Sequence, residues 1–119
     1  MKKILVTGGS GFIGTNFVNL LSKKNFNILN IDKLSKVSTA EKFKKISSYK
    51  KYKFINNNLQ NIEYIYKILS KFKPDIIVNF AAESHVDRSI NDPLYFIKNN
   101  INASSNLFFA YSKFYRKKK

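Results

Sequence analysis

The sequence predicts an α/β fold, a doubly wound parallel sheet of about four strands in the order 3-2-1-4 with helices on its faces. Three observations carry this. Short apolar, β-branched runs alternate with segments of helical periodicity along the chain. The first run, Ile4-Leu5-Val6, passes directly into Thr7-Gly8-Gly9-Ser10-Gly11-Phe12-Ile13-Gly14 and then into a helical pattern. All four glycines of the chain lie in that one turn, and those at 8, 11 and 14 form G-x-x-G-x-x-G between strand and helix. That arrangement is a dinucleotide-binding turn when a strand precedes it and a helix follows.

Each glycine of the motif has a physical task. Gly8 permits the tight turn off the strand, Gly11 leaves room for a pyrophosphate against the backbone, and Gly14 lets the helix lie close on the strand. The N–H groups and dipole at the helix start then favour phosphate. A glycine-rich strand–helix turn can also serve packing alone, and that remains the competing reading of these residues.

The remaining elements follow in order. Helix one is expected from about Phe12 to Lys24, with Phe12, Ile13, Phe17, Leu20 and Leu21 on its apolar side. Asn27 to Ile31 reads as the second strand, ending at Asp32. Ser38-Thr39-Ala40-Glu41 fits a capping box for a short helix to about Ser47. Tyr52 to Asn56 is the third strand, and Asn61 caps a helix carrying Ile62, Ile65, Tyr66, Leu69 and Phe72, stopped by Lys73-Pro74. The continuous apolar run Ile76-Ile77-Val78 suits a strand buried on both faces. Asp92-Pro93 opens a last long helix with the stripe Leu94, Ile97, Ile101, Ser104, Phe108 and Tyr111. Right-handed crossovers place the ligand crevice between strands one and four, at their C-terminal ends.

Composition narrows the function classes. At 119 residues the chain is one domain or part of one, and 44% apolar residues can supply a core. The absence of cysteine removes disulfides and thiolate metal sites, and a single histidine makes a zinc site improbable, so no metal is expected. Met1-Lys2-Lys3 before an apolar run imitates a signal peptide, but glycines interrupt the run. No segment approaches a membrane span, and a cytoplasmic protein without membrane partners is the expectation. The net charge of +15 points toward nucleic acid, yet it comes from dispersed lysines with only two arginines, Arg88 and Arg116. Readers of base sequence lean on arginine, so no specific nucleic-acid partner is expected. A basic nucleic-acid-associated protein nevertheless stays as the alternative of a different class.

Asp32 ends the second strand 18 residues after Gly14. A carboxylate there binds the adenosine ribose hydroxyls and repels a 2′-phosphate, which favours NAD over NADP. Lys33 softens that preference. A second motif, Phe80-Ala81-Ala82-Glu83-Ser84-His85-Val86-Asp87-Arg88-Ser89-Ile90, follows the fourth strand, with Asp92-Pro93-Leu94-Tyr95-Phe96-Ile97 after it. With T-G-G-S-G-F-I-G at 7–14, D-K-L at 32–34 and F-A-A-E-S-H-V-D-R-S-I at 80–90, the chain resembles the dTDP-glucose 4,6-dehydratases. These are extended short-chain dehydrogenases/reductases of the NAD-dependent epimerase/dehydratase family. The resemblance runs over nearly all of the chain and about the first third of a typical member.

The resemblance implies a Rossmann-like NAD-binding segment over residues 1–119, incomplete by the standard of the whole family. It implies that Phe12 and Ile13 sit at the pyrophosphate turn. Asp32, Lys33, Leu34 and Ser35 would flank the adenosine ribose, and Asn58 and Leu59 would border the adenine. Phe80, Ala81, Ala82, Glu83 and Ser84 would line the cofactor, Ser84 would also face the sugar nucleotide, and Asn99 would lie near the cofactor. Asn58 stands where the family has Asp, Asn99 where it has Thr, and the family's Tyr-Ala-Gly-Asn after D-K-L-T is missing. His85, Glu83, Asp87 and Arg88 are expected to order their loop rather than move protons.

By the same resemblance, members oxidise the sugar at C4 with NAD, eliminate water across C5 and C6, and return the hydride to C6. Their Tyr-x-x-x-Lys pair and Thr-Asp-Glu group follow a fifth strand, beyond Lys119 here. Tyr49/Lys53 and Tyr115/Lys119 match the first spacing formally, at a frequency that chance explains in so lysine-rich a chain. No catalytic residue is therefore assigned. The expected function is the NAD-binding part of a dTDP-glucose 4,6-dehydratase-like enzyme, inactive by itself; a stand-alone dinucleotide-binding module is the alternative. Fragment, split gene and shortened paralogue stay open, as do self-association and pairing with a separately encoded C-terminal half.

Overall fold

The computed structural model describes residues 1–9, 12–33, 49–80 and 92–118. In chain order the elements are β1 (Lys3–Thr7), α1 (Phe12–Ser22), β2 (Asn27–Asp32), β3 (Tyr52–Asn56), α2 (Ile62–Phe72), β4 (Ile76–Asn79) and α3 (Pro93–Lys118). The capping box at 38–41 and its helix lie outside the described residues. All four strands are parallel, in the order β3-β2-β1-β4 that the crossover rule predicts.

The chain divides into two compact units. The first, residues 1–58 and 72–80, holds the whole sheet. Leu5 on one face of β1 and Ile4 and Val6 on the other are all buried, as a parallel strand sheltered on both faces requires. Ile4, Val6, Ile28 and Tyr52 join Val18 and Leu21 of α1 in one apolar cluster, with Phe17 and Phe80 packed against it. The two phenyl rings meet edge to face, 5.4 Å apart. Register between β1 and β4 is pinned by a reciprocal pair: Asp75 N–H donates to the Lys3 carbonyl, and Lys3 N–H to Asp75 Oδ2, both at 2.8 Å.

Three expectations for this unit need correction. On α1, Ile13 and Leu20 are exposed, and Val18 is buried in their place. Gly14, Thr15, Val18 and Leu21 form the inward stripe, because the close approach at Gly14 fixes which side of the helix meets the sheet. Helix α1 also ends at Ser22, two residues short of the expected end, and Asn25 at φ 61° turns the chain back toward β2. Strand β4 takes the edge position the predicted order gives it, but it is not buried on both faces, Ile77 and Val78 being half-buried. Among the described residues it pairs only with β1, and Ile76 is exposed.

The second unit comprises residues 59–71 and 81–119. Asn61 caps α2 as expected, its Oδ1 accepting the Tyr64 N–H at 3.0 Å. Ile65, Ile68 and Leu69 are its buried residues; Ile68 belongs to the stripe, while Tyr66 is only half-buried. Pro93 stands at the first position of α3, where a missing N–H costs nothing. Its inward residues are Ala103, Leu107, Ala110 and Phe114. Leu94, Ile101, Phe108 and Tyr111, predicted as its apolar stripe, are all exposed. The Ile97 side chain lies outside the description. Lys113 bridges to α2 through Glu63 at 3.4 Å and sits 4.5 Å from the centre of the Tyr66 ring. No described helix is long and apolar enough to cross a membrane.

Neighbouring leucines test the orientation of α1. Leu21 is 7% exposed and Leu20 54%. Leu21→Ala is expected to cost about 2–5 kcal/mol of stability, and Leu20→Ala to stay within about 0.5 kcal/mol of the parent. Urea denaturation of the two variants checks this.

Candidate functional site

The site is built at the C-terminal ends of β1 and β2, where the chain leaves the sheet. Gly8 has φ 74°, in the left-handed region that side chains avoid, so the expected tight turn off β1 is present. Its N–H donates to the Ile31 carbonyl at 2.8 Å. The Gly9 N–H donates to Asn30 Oδ1, also at 2.8 Å. Thr15 Oγ1 donates to the Gly9 carbonyl at 3.2 Å. The first two glycines are thus tied to β2 on one side and α1 on the other.

Gly14 does what its spacing predicts. A Cβ there would lie 2.2 Å from the Gly8 carbonyl oxygen and 2.7 Å from Gly9 Cα, so only glycine allows the helix to start this close to the strand. The Gly8 and Gly9 N–H groups are engaged inside the protein, so among the described residues the first turn of α1, whose N–H groups have no intrahelical acceptor, is the part that offers donors to an anion. Ile13, on that turn, is 67% exposed. Gly11 and the Phe12 side chain lie outside the description.

Asp32 ends β2 half-buried, and its carbonyl accepts the Asn57 N–H at 3.1 Å, which fastens the end of β3 beside it. Lys33 follows, also half-buried, and Asn58 is exposed. Leu59 is buried, with φ 61°, a costly conformation for a bulky residue. Its carbonyl accepts a hydrogen bond from Asn106 Nδ2 at 2.8 Å. Phe80 continues β4, its N–H donating to the Thr7 carbonyl at 2.7 Å. The side chains of Thr7 and Asn79 hydrogen-bond across the same two strand ends. Leu34, Ser35, Ala81, Ala82, Glu83, Ser84 and His85 lie outside the described residues, as does the Asn99 side chain.

The first formal Tyr-x-x-x-Lys match sits elsewhere. The Tyr49 hydroxyl donates to the Phe26 carbonyl at 3.0 Å, at the N-terminal ends of β2 and β3 and so at the opposite end of the sheet from the glycine turn. Tyr115 stacks on Tyr111 on the surface of α3.

Sequence reasoning missed Asn30 and Tyr52 as site residues. Asn30 is fully buried, and its Nδ2 donates to the Tyr52 hydroxyl at 2.9 Å. Burial pushes the Tyr52 hydroxyl above the usual tyrosine range; the Asn30 hydrogen bond opposes this, and the Asp32 carboxylate adds to it. A polar residue in the middle of an apolar parallel strand was the available signal.

The GDP-mannose 4,6 dehydratase family profile matches residues 5–119. The chain belongs to this family. It is 36% identical over 101 residues to a dTDP-glucose 4,6-dehydratase of Xanthomonas campestris pv. campestris (strain B100), covering 85% of this chain and 29% of that protein. The dTDP-glucose 4,6-dehydratase of Streptomyces venezuelae, solved with NAD bound, superposes with a TM-score of 0.85 at 28% identity, over 94% of this chain and 36% of that one. The corresponding enzyme of Bacillus anthracis str. Ames, solved in complex with NAD, gives a TM-score of 0.79 at 32% identity, over 96% and 34%. The chain therefore spans about three tenths of the length of the curated relatives it matches.

Two outcomes follow for this family member. A glycine inside a helix ordinarily gains about 1 kcal/mol on becoming alanine. Gly14→Ala is expected to do the reverse and lower the melting temperature, because its methyl meets backbone atoms. Tyr52 holds its proton more tightly when folded, so its contribution to stability is full below about pH 10 and is lost as pH rises beyond. Chemical denaturation between pH 8 and about 11 should show a steeper alkaline loss for the parent than for Tyr52→Phe.

Proposed function

We propose that the chain is the NAD-binding part of a dTDP-glucose 4,6-dehydratase-like enzyme. The observation that carries this reading is the glycine turn of a family member. Gly8 takes a left-handed conformation, Gly14 admits the helix start to the strand, and Asp32 ends the adjacent strand. The residues fit a dinucleotide: glycines at the strand end and helix start that leave the backbone open to a pyrophosphate, first-turn N–H groups that lack intrahelical acceptors, and a carboxylate one strand away for ribose hydroxyls. NAD, when bound, would accept and return a hydride.

In this reading the first turn of α1 holds the pyrophosphate. Asp32 orients the adenosine ribose and disfavours a 2′-phosphate, with Lys33 moderating the repulsion. Phe80, Ala81, Ala82, Glu83 and Ser84 carry the nicotinamide side, and the Ser84 hydroxyl bonds the sugar nucleotide. Asn58, Leu59 and Asn99 complete the adenosine and cofactor edges. The NAD-bound Streptomyces and Bacillus relatives support the cofactor assignment. In this reading residues 1–119 hold the cofactor without dehydrating the sugar by themselves: of the Tyr-x-x-x-Lys spacing matches, Tyr49 lies at the opposite end of the sheet from the glycine turn and Tyr115 lies on the surface of α3.

Titration calorimetry of the 119-residue chain with NAD and NADP tests the reading. Binding of NAD is expected, weaker than in whole relatives and tighter than that of NADP. Gly11→Val should abolish it by placing a side chain where the pyrophosphate approaches. Equal or tighter binding of NADP, or unchanged binding by Gly11→Val, would contradict it.

A further inference from the structure

Below the glycine turn lies a buried polar relay. Asn30 sits within β2 with no exposed surface, on the same face as Ile28, whose partner on β3 is Tyr52. That face is otherwise the apolar cluster against α1. An amide there is costly unless its polar atoms are matched, and both ends of this one are. Oδ1 accepts the Gly9 N–H at 2.8 Å, and Nδ2 donates to the Tyr52 hydroxyl at 2.9 Å. The fit leaves no room: a Cβ on Gly9 would come within 2.4 Å of Oδ1.

We propose that Asn30, oriented by Tyr52, is a positioning residue that sets the pyrophosphate-binding turn at its working height above β2. The inference rests on the NAD reading above. Asn30 and Ile31, adjacent on β2, anchor the N–H groups of Gly9 and Gly8 in turn. Engaging both directs an anion onward to the first-turn N–H groups of α1. The same strand ends two residues later in Asp32, so one rigid element positions both the pyrophosphate turn and the ribose carboxylate.

Tyr52 gives the relay its direction. An amide presents either an acceptor or two donors to Gly9, depending on a half-turn of its plane. The hydroxyl accepting from Nδ2 selects the orientation in which oxygen faces Gly9. Without that acceptor the amide can turn, setting donor against donor and loosening the turn.

Asn30→Leu and Tyr52→Phe in the 119-residue chain test this, with NAD and ADP-ribose as the ligands. Leaving one buried N–H unmatched predicts that Asn30→Leu weakens both roughly tenfold or more, and Tyr52→Phe roughly threefold. The Gly9 amide proton resonance should shift in both variants before any ligand is added, which a role in packing alone would not produce at Tyr52→Phe. Should Asn30→Leu not fold, Tyr52→Phe, which keeps the ring, decides. Folded variants that bind NAD as the parent does, with an unmoved Gly9 amide, would overturn the positioning role alone. A parent chain that binds no NAD would overturn the NAD reading and this inference with it.

Discussion

The structure depends on one close approach. Gly14 on α1 lies against the Gly8 and Gly9 backbone so tightly that a single methyl group would overlap the Gly8 carbonyl oxygen. That contact decides which side of α1 meets the sheet, and hence that Val18 and Leu21 are inside while Ile13 and Leu20 are outside. It also brings the positive end of the helix to the mouth of β1, where an anion would sit. Packing and function draw on the same missing side chain.

The second support is β2. It receives the turn through the Ile31 carbonyl and the Asn30 side chain, and its last residue carries the carboxylate. Sheet registry then extends the geometry outward, because Asn57 is held by the Asp32 carbonyl and Phe80 by the Thr7 carbonyl. All four strand ends are thereby fixed to one another by backbone bonds, which do not depend on the identity of the side chains around them.

Periodicity and turn chemistry made most of this fold legible. Strand β3 runs from Tyr52 to Asn56 and α2 starts after Asn61, as their side-chain patterns and capping residue indicate. Faces were harder to read than elements. In α3, small Ala103 and Ala110 are inside and large Phe108 is outside, because close helix packing selects by fit and a hydrophobicity count cannot see it. In β4, an apolar run suggested burial on both faces, but burial of a face depends on what packs over it, and Ile76 is exposed while Ile77 and Val78 are only half-buried. At the site, glycine spacing and the strand-end carboxylate were readable because each imposes a residue type. Asn30 was not, since its partner Tyr52 is 22 residues away and only the register of β2 on β3 brings them together.

The most direct measurement is a crystal structure of this chain grown with NAD. The account predicts the pyrophosphate against the first turn of α1, above Gly8 and Gly9, with the adenosine ribose hydroxyls on the Asp32 carboxylate. A dinucleotide held instead by the lysines of α3, with the glycine turn empty, would contradict it.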